Sequence, residues 1–249
     1  MKLITLNTWG GRINEPLLDF IRKNKSKIDI FCFQEVFKGG VSDAHKDLSN
    51  TLNINHILYE QITEILDGYN NLFCSFHKNA YGIACFVKKD IEIIKEGSVV
   101  VYENNDFPNV LREDLDHTRK MQWIHIKKNN KEYTVMHTHG HWTGVNKSDT
   151  EDRIKQSEKI ITFSDKIKTP KILCGDFNLR PDTISTSILE KSFKNLIKDY
   201  KVSSTRTSFY KKEERFADYI FTSEDIETLC FRVLPDEVSD HSALYIEYI

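Results

Sequence analysis

Residues 171–178 read KILCGDFN, a short apolar run that opens through Gly175 onto Asp176, Phe177 and Asn178. A brief apolar stretch closed by a turn signal fits a buried strand. In an extended segment, Asp176 and Asn178 share one side while Phe177 takes the other. One carboxylate and one amide can then meet the same target.

The same ending recurs along the chain. KLITL ends at Asn7, IDIFCFQ at Glu35 and YTVMHT at His139, while ADYIF begins at Asp218 and SDHSALYIEY begins at Asp240 and His241. A site built from strand ends needs all of these groups at one edge. The first four strands must then run toward that edge and the last two away from it. The sheets are therefore expected to be mixed or antiparallel, which excludes a purely parallel barrel. Adjacent residues of an extended chain diverge, so Asp240 and His241 can reach one site only if the backbone bends at Ser239–Asp240.

Eleven strands are expected from runs rich in β-branched and aromatic residues: 2–6, 28–33, 71–76, 82–87, 91–101, 122–127, 133–138, 171–174, 219–222, 228–234 and 243–248. IKKNNKEYTV predicts a hairpin turning at Asn129-Asn130. Helices are expected in EPLLDFIRKNK, INHILYEQITEIL and SDTEDRIKQSEKIITFSDKI, the last capped by Ser148, Asp149 or Thr150. A fourth is expected across RPDTISTSILEKSFKNL. This alternation predicts an α/β, four-layer sandwich of two packed mixed or antiparallel sheets flanked by helices, with residues 1–249 as one domain.

Composition narrows the setting. Of the 249 residues 39% are hydrophobic and 29% charged, the balance of an ordinary globular chain. A net charge of −2 gives no global attraction to nucleic acid or anionic membrane, so any phosphate must be met locally. Five cysteines without C-x-x-C spacing argue against a disulfide framework or a cysteine zinc site. Cys32, Cys85 and Cys174 lie inside apolar runs, where a reduced cysteine behaves as a small hydrophobe. There is no signal-peptide core and no membrane-length apolar run, so a cytoplasmic protein without a membrane span is expected. Nothing in the sequence implies an obligate protein partner.

The polar set suits hard-cation chemistry. Mg²⁺ prefers carboxylate, amide and water oxygens, and Glu35 with Asn7 and Asp240 offers such a set. His241 with a nearby carboxylate such as Asp218 would form a base and its orienter.

These stretches resemble the endonuclease/exonuclease/phosphatase superfamily, the deoxyribonuclease I-like fold. LNTW, FQEV, MHTHG, RIKQ (Arg153 to Gln156), GDFN, ADYIF and VSDHSAL appear in the family's order, from residue 7 to 241. The resemblance implies a Mg²⁺- or Mn²⁺-dependent phosphodiesterase, nuclease or phosphatase acting by metal-assisted attack of activated water. It implies Glu35 as the main metal ligand, with Asn7 and Asp240 assisting. Asp176 would position or deprotonate the water, and Asn178 and Arg153 would bind substrate. His241 would contact or protonate the phosphate, Asp218 would orient His241, and His139 would be a second active-site histidine. The chain departs from the pattern at His137, Gly140 and Phe216, which bear on substrate contacts. GDFNLRPD is also similar to the tyrosyl-DNA phosphodiesterase branch. A sphingomyelinase-like or small-molecule phosphatase activity is a further option, with DNA and RNA among the phosphodiester substrates.

Three other readings remain open. A catalytically silent binding module on the same scaffold would have lost a site residue, and none is missing. His137, His139 and His141 alternate, so an extended strand would present all three as a zinc site. Trp9, Trp142 and Phe209 would stack on a base or a lipid-like group, or else be buried packing.

Overall fold

The computed structural model describes residues 1–39, 53–77, 79–103, 118–144 and 146–249. Its first sheet contains β1 (Lys2–Asn7), β2 (Ile30–Phe37), β3 (Tyr69–His77), β4 (Tyr81–Lys88), β11 (Thr228–Val233) and β12 (Leu244–Tyr248), in the order β11-β12-β1-β2-β4-β3. The second contains β5 (Glu92–Tyr102), β6 (Arg119–Lys128), β7 (Lys131–His139), β8 (Lys171–Asp176), β9 (Lys194–Asn195) and β10 (Asp218–Thr222), in the order β5-β6-β7-β8-β10-β9.

Both sheets are mixed, as expected. β1 is parallel to β2 and β7 to β8, and every other pairing is antiparallel. Consequently β1, β2, β7 and β8 all end at one rim, where β6, β10 and the approach to β12 begin.

The continuous apolar run of IDIFCF follows from burial on both faces of its strand. Ile30 and Cys32 of β2 join Leu3, Cys85 and Val87 in the core that continues into the second sheet. Phe31 and Phe33 face the other way with Ile4, Leu6 and Phe86, beneath Leu17 and Ile21 of α1 (Asn14–Asn24) and Leu58 and Ile62 of α2 (Leu58–Ile65). Across the sheets, Tyr133 meets Tyr248 edge-on with ring centroids 5.4 Å apart. On the outer side of the second sheet, α3 (Glu151–Ser164) brings Phe163 to within 5.9 Å of the Trp123 ring. α4 (Ile184–Leu189) and α5 (Leu196–Asp199) complete the layer. No described helix is long and apolar enough to cross a membrane.

The hairpin between β6 and β7 turns at Asn129 and Asn130, at φ 51° and 62°, the left-handed pair its sequence predicts. Thr150 caps α3, its hydroxyl accepting from the Arg153 N–H at 3.2 Å. Asp149 serves another helix: its carboxylate accepts the N–H groups of Ile184 and Ser185 at the start of α4.

The long helix expected over RPDTISTSILEKSFKNL does not form. Thr183 caps a six-residue α4, Phe193 then turns into the core, and Lys194–Asn195 pairs with β10 as β9. Asn195 next caps α5, accepting the Ile197 N–H at 3.1 Å. Edge pairing and a buried Phe override the helical pattern.

Candidate active site

Backbone geometry brings the expected acids to the rim. In β2 the register with β4 slips between Phe33 and Val36, and Glu35 sits at the irregularity with φ 56°. Such a bulge turns a side chain out of the strand's alternation. Asp176 ends β8 and pairs in register with Asp218 at the start of β10. Asn178 is not extended: it has φ 53°, and its N–H folds back onto Asp176 Oδ1 at 2.8 Å. The left-handed turn keeps Asn178 beside Asp176, while Phe177 packs edge-on against Tyr219 and Phe221. The predicted bend at Ser239–Asp240 is present. The Ser239 hydroxyl donates to the Asn7 carbonyl at 2.7 Å and accepts the His241 N–H at 3.2 Å.

Asp176 Oδ2 is the hub. It accepts from Asn7 Nδ2 at 3.0 Å and lies 3.7 Å from Nε2 of both His139 and His241. Asn7 Nδ2 also donates to Glu35 Oε1 at 3.0 Å, while its amide oxygen accepts the Trp9 N–H at 2.9 Å. Asn7 thus ties the two acids together through its amide nitrogen, with one lone pair of its amide oxygen taken by Trp9. His241 Nδ1 stands 2.9 Å from both Asp218 oxygens, and Asp218 is steadied by the Thr205 hydroxyl at 3.0 Å. Asp240 Oδ1 lies 3.7 Å from His241 Nε2, and Asp240 Oδ2 lies 3.4 Å from Arg206 Nη1.

The electrostatics separate these groups. Burial alone would raise the Asp176 carboxyl, but the charges of Lys147, His241, His139 and Arg206 hold it far below the carboxylate range. Burial raises Glu35, against the pull of Asn7 and His241. Burial and Arg206 push His241 down, yet Asp218, Asp240 and Asp176 outweigh them and raise it. His139 is driven well down by burial and by Arg119. The two imidazoles that face one oxygen are therefore shifted in opposite directions.

Three cations at the site were not singled out by the sequence. Lys147 is buried and donates to Asn178 Oδ1 at 2.7 Å, and its ammonium is pulled down to about 8, chiefly by burial. Arg206 lies over the Tyr210 ring at 4.0 Å. Arg119 contacts His139 Nδ1 at 3.3 Å. Lys147 and Arg206 lie in loops, and Arg119 opens β6 three residues before the predicted start.

Arg153 does not reach the cavity. It is buried, with its Nε donating to the His141 carbonyl and its Nη1 to the Ser148 carbonyl, so it braces the segment that carries Lys147. The three alternating histidines do not converge either. His137 is sealed in the core, and His141 packs against the Tyr102 ring at 4.0 Å; of the three, His139 alone lines the cavity.

The cavity measures about 570 Å³, with the acids and imidazoles at its floor and Trp9, Trp142 and Phe209 among its walls. The donor set fits a hard divalent cation: Glu35 and Asp240 offer carboxylates, and Asp240 Oδ1 is buried with no hydrogen-bond partner among the described residues. Asp176, Asp218 and His241 also offer atoms within 4.8 Å of one another. Within that trio His241 Nδ1 is already hydrogen-bonded to Asp218, the pairing of a base with its orienter.

A two-sheet α/β sandwich with buried acids and imidazoles at one rim defines a class, and comparison with known proteins agrees. Residues 4–241 match the model of the Endonuclease/Exonuclease/phosphatase family. The chain belongs to that family, whose members are generally phosphoester hydrolases. An endonuclease/exonuclease/phosphatase family protein from Bacteroides thetaiotaomicron is similar over 100% of this chain and 97% of its own, at 19% identity and TM-score 0.74. The mannosyl-6-phosphatase of Bacteroides thetaiotaomicron VPI-5482 is similar over 100% and 99%, at 18% identity and TM-score 0.73. D. rerio TDP2 complexed with single strand DNA product is similar over 100% and 98%, at 14% identity and TM-score 0.66. No curated protein matches the sequence.

Proposed function

We propose that the protein is a divalent-metal-dependent phosphodiesterase, hydrolysing a phosphodiester by attack of an activated water. The observation that carries this reading is the convergence of Asn7 Nδ2, His139 Nε2 and His241 Nε2 on the single oxygen Asp176 Oδ2. Three nitrogens around one carboxylate leave a pocket for an anion beside a group able to hold water.

Glu35 and Asp240, with Asn7 holding Glu35 in place, would bind Mg²⁺ or Mn²⁺. Such an ion, when bound, neutralises charge on the phosphate oxygens and the leaving group. Asp176, kept ionised, would accept a hydrogen bond from the water and either fix its line of attack or take its proton as the phosphorus–oxygen bond forms. His241, its Nδ1–H given to Asp218 and its affinity for a second proton raised, donates from Nε2 to the phosphate or the departing oxygen. Lys147 holds the Asn178 amide and adds positive charge beside the non-bridging oxygens. Trp9, Phe209 and Trp142 give the cavity an apolar wall for the group esterified to the phosphate. Its soluble substrates would include DNA or RNA, and the similar folds of a mannosyl-6-phosphatase and of TDP2 make sugar phosphates and 5'-tyrosyl DNA the rivals to test.

The test is hydrolysis of bis-p-nitrophenyl phosphate, p-nitrophenyl phosphate, a 5'-tyrosyl oligonucleotide and plain DNA with Mg²⁺ or Mn²⁺. Wild type is expected to prefer a diester, to fall silent in EDTA and to recover on adding the ion. Asp176→Asn and His241→Gln should each lose about 10³-fold in kcat with the fold intact by circular dichroism. Near-normal turnover in both variants removes the assignment. A preference for the monoester makes the protein a phosphatase.

A further inference from the structure

His139 and His241 face the same carboxylate oxygen but are held from behind by opposite partners. Behind His241 stands the Asp218 carboxylate, which can only accept, so His241 Nδ1 carries a proton. Behind His139 stands Arg119, whose Nη1 lies 3.3 Å from Nδ1. A guanidinium has five N–H donors and no acceptor, so His139 Nδ1 must be the accepting nitrogen. A neutral ring whose Nδ1 accepts carries its proton at Nε2. That atom stands 3.7 Å from Asp176 Oδ2 and 3.9 Å from Glu35 Oε1.

We propose that Arg119 is a positioning residue, which locks His139 in the Nε2–H tautomer and so fixes one N–H donor on the oxygen cluster where the phosphoryl group binds. The tautomer follows from the contact alone; its catalytic consequence rests on the phosphodiesterase reading above.

The surroundings of Arg119 support a role beyond packing. The residue is 2% exposed, has no carboxylate within ion-pair distance among the described residues, and leaves its Nε without a hydrogen bond. Burying a guanidinium so poorly matched is unfavourable, a penalty an apolar residue at this position would avoid. Among the described residues it also meets the Phe76 ring at 5.8 Å and the Tyr81 phenol. Neither requires a full positive charge. Topology brings it to the right end: β6 is antiparallel to β7, so the start of β6 lies alongside the end of β7, with Met121 opposite Thr138.

The consequence is a division of labour. His139 always presents an N–H and stabilises charge on a phosphate oxygen, while His241 Nε2 is free to exchange a proton.

Long-range ¹H–¹⁵N spectra of labelled protein, recorded with and without Mg²⁺, read the tautomer directly, His139 being assigned by the signals lost in His139→Gln. Wild type should show Nδ1 unprotonated and Nε2 protonated. Arg119→Lys, which keeps a pure donor, should preserve that pattern, and Arg119→Met should shift it toward a mixture. Turnover should fall about tenfold or more in Arg119→Met with KM little changed, and Arg119→Lys should restore most of it. Wild-type His139 protonated at Nδ1 overturns the proposal, and that spectrum decides even if Arg119→Met fails to fold. So does an Arg119→Met spectrum identical to wild type. If wild type hydrolyses no phosphoester, the functional reading falls while the spectra still decide the role of Arg119.

Discussion

Glu35 shows how one residue trades stability for a site. Its φ of 56° lies where non-glycine residues are strained, and Trp9 and Asn178, both at φ 53°, share that condition at the same rim. Its carboxyl is raised by burial, although the 27% of its side chain still open to the cavity moderates the effect. A raised folded-state value means the unfolded chain ionises first, so this contribution to stability falls as pH rises from about 4.5 through the folded value. Glu35→Gln removes the penalty and the proposed ligand together. In cation-free protein near pH 7 the variant should therefore melt at the same temperature as wild type or higher, while calorimetric titration with Mg²⁺ should show affinity at least tenfold weaker. A lower melting temperature combined with unchanged affinity would take Glu35 out of the cation site. The acids were legible in the sequence because each one stands at the end or the start of an apolar run. Lys147 and Arg206 were not, since a loop residue carries no periodicity against which to stand out, and Arg153 belonged to a matching motif yet faces inward.

Elements place these residues through a few backbone contacts that tolerate no change. Gly175 has φ 128°, and a Cβ there would stand 2.0 Å from the Thr138 carbonyl oxygen on β7. β7 and β8 therefore lie together as closely as their backbones allow, which sets His139 opposite Asp176 in register. Gly175→Ala should destabilise the fold by about 3 kcal/mol or more and lower kcat in whatever protein still folds, because Asp176 is the next residue. Chemical denaturation measures the first effect, and an unchanged midpoint would show that the strands can part at no cost. The β-elements were legible nearly to their ends, since burial on both faces makes runs such as IDIFCF unmistakable. The helix over 180–196 was not. Its apolar spacing suits a helix, but pairing of Lys194–Asn195 with β10 decides the conformation, and a two-residue edge strand leaves no pattern of its own.

At the scale of the whole molecule, the site is a seam between two sheets. Asn7, Glu35, Asp240 and His241 come from the first sheet and its approach, and His139, Asp176 and Asp218 from the second. Two of the bonds described cross the seam, from Asn7 Nδ2 to Asp176 and between His241 Nδ1 and Asp218. The mixed topology was legible because groups at four strand ends and two strand starts can share an edge in no other way. A cation held by Glu35 and Asp240 beside Asp176 would draw together carboxylates of both sheets that otherwise repel. An ion that binds only the folded chain stabilises it by about 2.7 kcal/mol at a hundred times its dissociation constant. For a chain of this length that corresponds to a rise of roughly 5–10 °C in melting temperature. Mg²⁺ should raise the melting temperature of wild type by about that much, and should do so without any substrate. The double variant Glu35→Gln/Asp240→Asn should not respond, whereas Asp218→Asn, which disrupts the acid–base relay and leaves the cation side intact, should keep most of the shift. Equal shifts in wild type and the double variant would mean that the ion binds elsewhere and does not bridge the sheets. A shift lost only in Asp218→Asn would move the cation to the Asp176–Asp218–His241 trio and invert the roles assigned to the two halves of the rim.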